Sequence, residues 1–202
     1  IDTDEGHKDF DTVAADIGQA IGRFLADPAV ATAVLGAIQS PDTLARIDAA
    51  AAGPGDVVLA SRHIENAEFP QADVRTPLLL KTAADSEAAF MQERFGPISF
   101  VVAVRDVAEA VALAERSVWD HGALTVGLYS TKPDVVDAMT LATQRAMVSL
   151  SINLTGNVYV NQSAAFSDYH ATGANPAATA SYTDSAFVAN RFRVVQRRWH
   201  AA

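Results

Sequence analysis

"ERFGPISFVVAVRDVAEAVALAERS", Glu93 to Ser117, decides how the chain is read. Gly96 and Pro97 together end any helix that reaches them. Ile98 to Val104 is then a nearly continuous apolar run, the mark of a strand buried on both faces. Asp106 is a capping residue ahead of Val107, Ala110, Val111 and Ala114, which recur at helical spacing on one side. A strand, a sharp Asp-containing turn and an amphipathic helix are therefore expected in succession. The charged pair Glu93 and Arg94 just before the corner admits two readings. It is either a solvated helix end or a ligand-contacting corner at the start of a strand.

Downstream, "ALTVGLYS" reads as a strand, "PDVVDAMTLATQR" as a helix whose proline suits the first turn, and "MVSLSIN" (Met147 to Asn153) as another strand. Upstream, "TPLLLKT" gives a strand around Leu78 to Thr82 and "DSEAAFMQE" a short helix. Strands alternating with helices imply right-handed crossovers and an α/β fold, a largely parallel sheet with flanking helices. Nearer the start, Phe10, Val13, Ile17, Ile21, Phe24 and Leu25 form one stripe of a helix from about Asp9 to Ala26. Asp27-Pro28 and Ser40-Pro41 repeat a cap-then-proline start signal, so two more short helices follow. "AAGPGD" ends the helical region, and Val57 to Ser61 has strand character. Residues 1–153 thus read as one α/β body, with helices over 9–52 and the alternation over 56–153. Residues 154–190 turn to Asn, Ser, Thr, Ala and Gly without periodicity, a loop of the length usually kept for function or disorder. "FRVVQRRW", within a terminal arm over 191–202, regains β alternation and reads as a strand that pairs with a sheet edge, in another subunit or in its own sheet.

Composition narrows the function classes. Half of the 202 residues are hydrophobic, enough for a sizeable core, which excludes a disordered chain. A formal net charge of -9 argues against a nucleic-acid partner, because phosphate recognition needs clustered Lys and Arg and the one basic cluster is "RFRVVQRR". No apolar run reaches the ~18 residues a membrane-spanning helix needs, and no signal-peptide pattern opens the sequence, so the expectation is a soluble, cytoplasmic protein. The chain has no cysteine, which removes disulfides, thiolate metal sites and a cysteine nucleophile together. His7, His63, His121, His170 and His200 are too scattered for a local metal motif. A start at Ile1 rather than Met fits a piece of something longer. Asp168, Tyr169 and His170, with Ser163 or Ser167, could be imagined as a hydrolytic set, but consecutive residues rarely converge on one point and a solvated loop is the plainer reading.

Glu93 to Ser117 resembles the segment that aldehyde dehydrogenases write as Glu-x-Phe-Gly-Pro, an apolar strand, an Asp-containing turn and a helix ending near Tyr-Gly-Leu. Glu93, Phe95, Gly96 and Pro97 match, and "VWDHGALTVGLYST" stands in for the last part. "AMVSLSIN" is similar to the family's Gly-x-Val-x-Ile-Asn strand, ending at Asn153, and "FRVVQRR" sits where the family has its terminal subunit-joining strand. The resemblance runs from roughly Ala45 to Arg198. "IDTDEGHKDF" and "VNQSAAFSDYHATGANPAA" look like the phenylacetic-acid-degradation branch.

The resemblance implies the C-terminal part of an aldehyde dehydrogenase catalytic domain, an oxidoreductase using NAD or NADP. Glu93 would accept hydrogen bonds from the nicotinamide ribose hydroxyls and Phe95 would pack beside the nicotinamide ring; a carboxylate is the natural bidentate partner of a vicinal diol. The family's cysteine nucleophile, oxyanion Asn, general-base Glu and dinucleotide-binding half all precede the matched part. No catalytic residue is therefore expected here, the cofactor would be held mainly by the missing half, and the isolated chain would be inactive. "AFSDYH" replaces the Pro-Phe-Gly-Gly of many members, which implies a branch-specific loop at the substrate mouth with Phe166 lining it. The implied partners are a small-molecule aldehyde of aromatic degradation, free or CoA-linked, and further copies of the chain joined through residues 192–199. Neither nucleic acid nor membrane is expected. For the site, the plainer reading is Glu93 as a solvated helix-end carboxylate and Phe95 as a core anchor before the strand; for the chain, the alternative is a truncated paralogue acting as a non-catalytic interaction or assembly domain.

Overall fold

The computed structural model describes residues 8–123, 125–154 and 197–199. Backbone packing divides the chain after Val104 into two compact units.

In the first unit, α1 (Phe10–Phe24), α2 (Pro28–Val34) and α3 (Pro41–Ala51) start where the caps place them. The carboxylate of Asp9 accepts from the Thr12 amide at 2.7 Å, that of Asp27 from Ala29 at 2.8 Å, and the Ser40 hydroxyl from Asp42 at 3.2 Å. After Gly55, whose φ of +122° only glycine adopts easily, the chain runs through β1 (Asp56–Leu59), β2 (His63–Ile64), β3 (Val74–Arg75) and β4 (Leu78–Ala83). The short α4 (Glu87–Phe90) leads to β5 (Ile98–Ala103). β4 and β5 pair in parallel from Leu78 beside Ile98 to Ala83 beside Ala103, while β1 lies antiparallel on the other edge of β4. Leu78 and Leu80 point to one face and are fully buried against Ile47 and Ala50 of α3. Each such leucine contributes about 1.5–3 kcal/mol through the apolar area it removes from water.

In the second unit, α5 (Val107–His121) starts at Asp106, whose carboxylate accepts from the Glu109 amide at 2.8 Å. β6 (Thr125–Leu128), α6 (Pro133–Ala146) and β7 (Ser149–Ile152) follow, and β8 (Arg197–Trp199) lies parallel to β7. Leu128, Val136, Met139, Ala142, Leu150 and Ile152 form the core, with Val107, Val111 and Ala114 of α5 packed against it as their spacing predicts. Arg145 of α6 clasps Glu115 of α5 with two bonds of 2.5 and 2.6 Å, and this guanidinium holds the Glu115 carboxyl below its ordinary range.

Two expectations need correcting. The sheet is not one largely parallel sheet but three small ones: mixed β1-β4-β5, antiparallel β2-β3, and parallel β6-β7-β8. The reason is local. A parallel crossover needs an intervening helix, and between β1 and β4 the chain has only the β2 and β3 pair, so β1 returns antiparallel. Ile98 to Val104 is also not buried on both faces. β5 is mostly half-buried with Ser99 exposed, and the doubly buried run is Leu78–Leu80 of β4. Of the terminal arm, residues 197–199 pair with β7 in this chain, and residues 192–196 lie outside the described residues, as does the loop over 155–190.

Just past β7, Asn153 adopts φ +52° and its side-chain amide grips Ser130, accepting from its amide at 3.0 Å and donating to its carbonyl at 2.9 Å. Asn153→Ala removes both bonds and places alanine in a left-handed conformation it disfavours. The substitution is expected to destabilise the unit by about 1–3 kcal/mol in urea unfolding. An unchanged midpoint would show the grip to be idle.

Candidate functional site

The corner that joins α4 to β5 is held on three sides. Arg94 reaches back to α4, donating from Nη2 to the carbonyls of Ala88 and Ala89 at 3.2 Å each. Its Nε is buried without a hydrogen-bond partner. From α3, Arg46 donates through Nε to the Phe95 carbonyl at 2.9 Å and through Nη2 to the Thr43 hydroxyl at 2.8 Å. The third anchor is the sheet, since the Leu78 amide donates to the Pro97 carbonyl at 2.8 Å and so begins the β4–β5 ladder. Gly96 closes the corner at φ +144°, so near α3 that a Cβ there would stand 3.0 Å from Cγ2 of the buried Thr43.

The side chains on this anchored backbone face outward. Phe95 is 71% exposed, which corrects its reading as a core anchor: the core position at this corner belongs to Ile98, packed with Leu78 and Ile47. The Arg46 guanidinium lies 6.0 Å from the centroid of the Phe95 ring, the outer limit of a cation–π contact. Glu93 is exposed and makes no hydrogen bond or ion pair with any described residue. An exposed carboxylate and an exposed aromatic ring two residues apart, on backbone tied by these hydrogen bonds, can accept hydrogen bonds from a diol and flank a planar ring.

Other residues singled out by sequence are not brought into this corner. His63 is exposed in β2, and His121 is exposed at the last turn of α5. Among the described residues no group of three or more His, Asp or Glu could hold a metal ion. Phe166, and the set of Ser163, Ser167, Asp168, Tyr169 and His170, lie outside the described residues. No helix among the described residues is long and apolar enough to cross a membrane.

An open groove of about 470 Å³ lies along α1 and β1, lined among others by Gly18, Gly22, Val57 and Lys81. Lys81 bonds Asp11 at 2.6 Å and stands 3.8 Å from Asp56; the Asp11 carboxylate, with help from Asp56, raises its pKa. That direction keeps Lys81 an ammonium at neutral pH and unfit as a nucleophile or base. Arg46 and Thr43 are the residues that sequence reasoning missed. They stand 49 and 52 positions before Phe95, and the one local trace is a polar pair three apart on the helix stripe that also carries Ile47 and Ala50.

Residues 19–187 match a family model described as the aldehyde dehydrogenase family. Among solved structures, the chain is similar to the crystal structure of an NAD-dependent aldehyde dehydrogenase from Burkholderia multivorans, at 53% sequence identity over 98% of this chain and a TM-score of 0.82. The chain spans 35% of the length of that protein. No curated protein matches it.

Gly96→Ala tests the corner. A side chain is strained at this φ and meets Thr43 as well, so a loss of about 1–3 kcal/mol in thermal or urea unfolding is expected. A variant as stable as the parent would show that α3 does not close on the corner.

Proposed function

The chain belongs to the aldehyde dehydrogenase family, and on that premise we propose that it is the C-terminal portion of an NAD-dependent enzyme that oxidises an aldehyde. The observation that carries this reading is the anchored corner, on which the Glu93 carboxylate and the Phe95 ring are left open to a ligand. Those two groups fit the nicotinamide end of NAD. With NAD bound, the carboxylate oxygens of Glu93 would accept hydrogen bonds from the vicinal ribose hydroxyls, and the Phe95 ring would restrict the swing of a planar ring beside it. When bound, NAD supplies the acceptor for the hydride that leaves the aldehyde carbon.

The rest of the machinery lies outside this sequence in our reading. The family's nucleophile is a cysteine and this chain has none, which agrees with a chain that spans 35% of its solved relative. The upstream half would bring the nucleophile, its activating groups and most of the cofactor's binding surface. For the substrate we propose an aldehyde of phenylacetate or other aromatic degradation, on the strength of "IDTDEGHKDF" and "VNQSAAFSDYHATGANPAA", with Phe166 lining its entrance. We also propose a cytoplasmic homo-oligomer joined through residues 192–199, of which 197–199 pair with β7 of the same chain along one edge and would offer the other. The missing cysteine equally favours a second reading, a non-catalytic assembly domain of the same fold.

The isolated chain is expected to form no NADH from aldehyde and NAD; measurable turnover, followed by absorbance, would overturn the partial-site reading. In a longer protein that carries the upstream half, Glu93→Gln weakens the ribose contact and should lower cofactor affinity or hydride-transfer rate about ten-fold, the scale of a charge-assisted hydrogen bond. Kinetics and affinity both unchanged would return Glu93 to a solvated carboxylate.

A further inference from the structure

We propose that Arg46 is a positioning residue for Phe95, holding its ring in one pose so that only one face is offered to a ligand. The inference rests on the nicotinamide-site reading of Phe95 and adds to it a second-layer group from a different helix. An aromatic ring that is 71% exposed ordinarily samples several rotamers, because few neighbours limit it. Here its own carbonyl is tied to Arg46 Nε at 2.9 Å and its ring lies 6.0 Å from the same guanidinium. One planar group thus ties the backbone at Phe95 and stands over one side of its ring.

The guanidinium is itself fixed. Arg46 Nη2 donates to the Thr43 hydroxyl at 2.8 Å, and Thr43 is a buried residue one turn earlier on α3. Thr43 also lies against Gly96 through Cγ2, so it bears on both ends of the clasp. The fork geometry matters, since two different nitrogens bond two different acceptors while the plane stays near the ring. A lysine ammonium supplies the charge but not the fork. Arg94 is engaged elsewhere, its Nη2 donating to the carbonyls of Ala88 and Ala89.

The experiment is fluorine NMR on the 202-residue chain labelled with 4-fluorophenylalanine, with the Phe95 signal identified by its loss in Phe95→Leu. In Arg46→Ala the Phe95 signal is expected to shift and narrow as the ring gains freedom, with the other fluorine signals in place. Arg46→Lys should fall between the two, and it carries the test if circular dichroism shows Arg46→Ala unfolded. In a longer protein that carries the upstream half, titration with nicotinamide mononucleotide should then move the Phe95 signal. The apparent affinity should be about three-fold weaker in Arg46→Ala, the scale of one cation–π contact at an exposed site. A Phe95 signal unchanged by either substitution overturns the inference whatever the nucleotide does. A signal that changes in the variants while the nucleotide leaves the longer protein untouched retains the clasp and overturns the nicotinamide reading.

Discussion

The first rung of the β4–β5 ladder, the Leu78 amide donating to the Pro97 carbonyl, is the constraint on which the corner depends. It sets Leu78 beside Ile98, and a parallel pairing so begun carries that register through to Ala83 beside Ala103. A slip of one residue would turn Leu78 and Leu80 away from α3 and expose two fully buried leucines. The same rung pins the chain at Pro97, so Gly96 must turn sharply and Phe95 is delivered to Arg46. Core packing and the presentation of the corner are therefore one arrangement. Apolar burial fixes the register, the register fixes the bend, and the bend decides which side chains are left outside.

Much of this was legible from local chemistry. Every helix start that the sequence marks with a capping side chain and a proline or an apolar stripe is where the structure begins a helix, because a cap satisfies its own helix and needs no distant partner. The strands over 78–82 and 98–104 were equally visible as apolar runs. Their partners were not, since pairing direction depends on what lies between strands, and the minimal β2 and β3 pair is too short to leave a pattern. Relative burial was also misjudged between β4 and β5. Both carry apolar runs, Leu78–Leu80 and Phe100–Ala103, and α3 packing on Leu78 and Leu80 separates them.

The corner divides in the same way. Glu93 and Phe95 were legible as a motif, and the structure leaves both side chains exposed. The arginine that holds Phe95 was invisible, because its partner lies 49 residues away in sequence. In the second unit Asn153 shows the converse case. Its place at the end of a strand was readable, while its grip on Ser130 follows from a left-handed backbone that asparagine tolerates better than most residues.

Saturation-transfer NMR of the chain with intact NAD would test most directly whether this corner meets the nicotinamide end of the cofactor. Irradiating the protein should saturate the nicotinamide and adjoining ribose protons strongly and the adenine protons weakly, with the nicotinamide signal lost in Phe95→Leu. Saturation concentrated on adenine, or a nicotinamide signal indifferent to Phe95, would contradict the account.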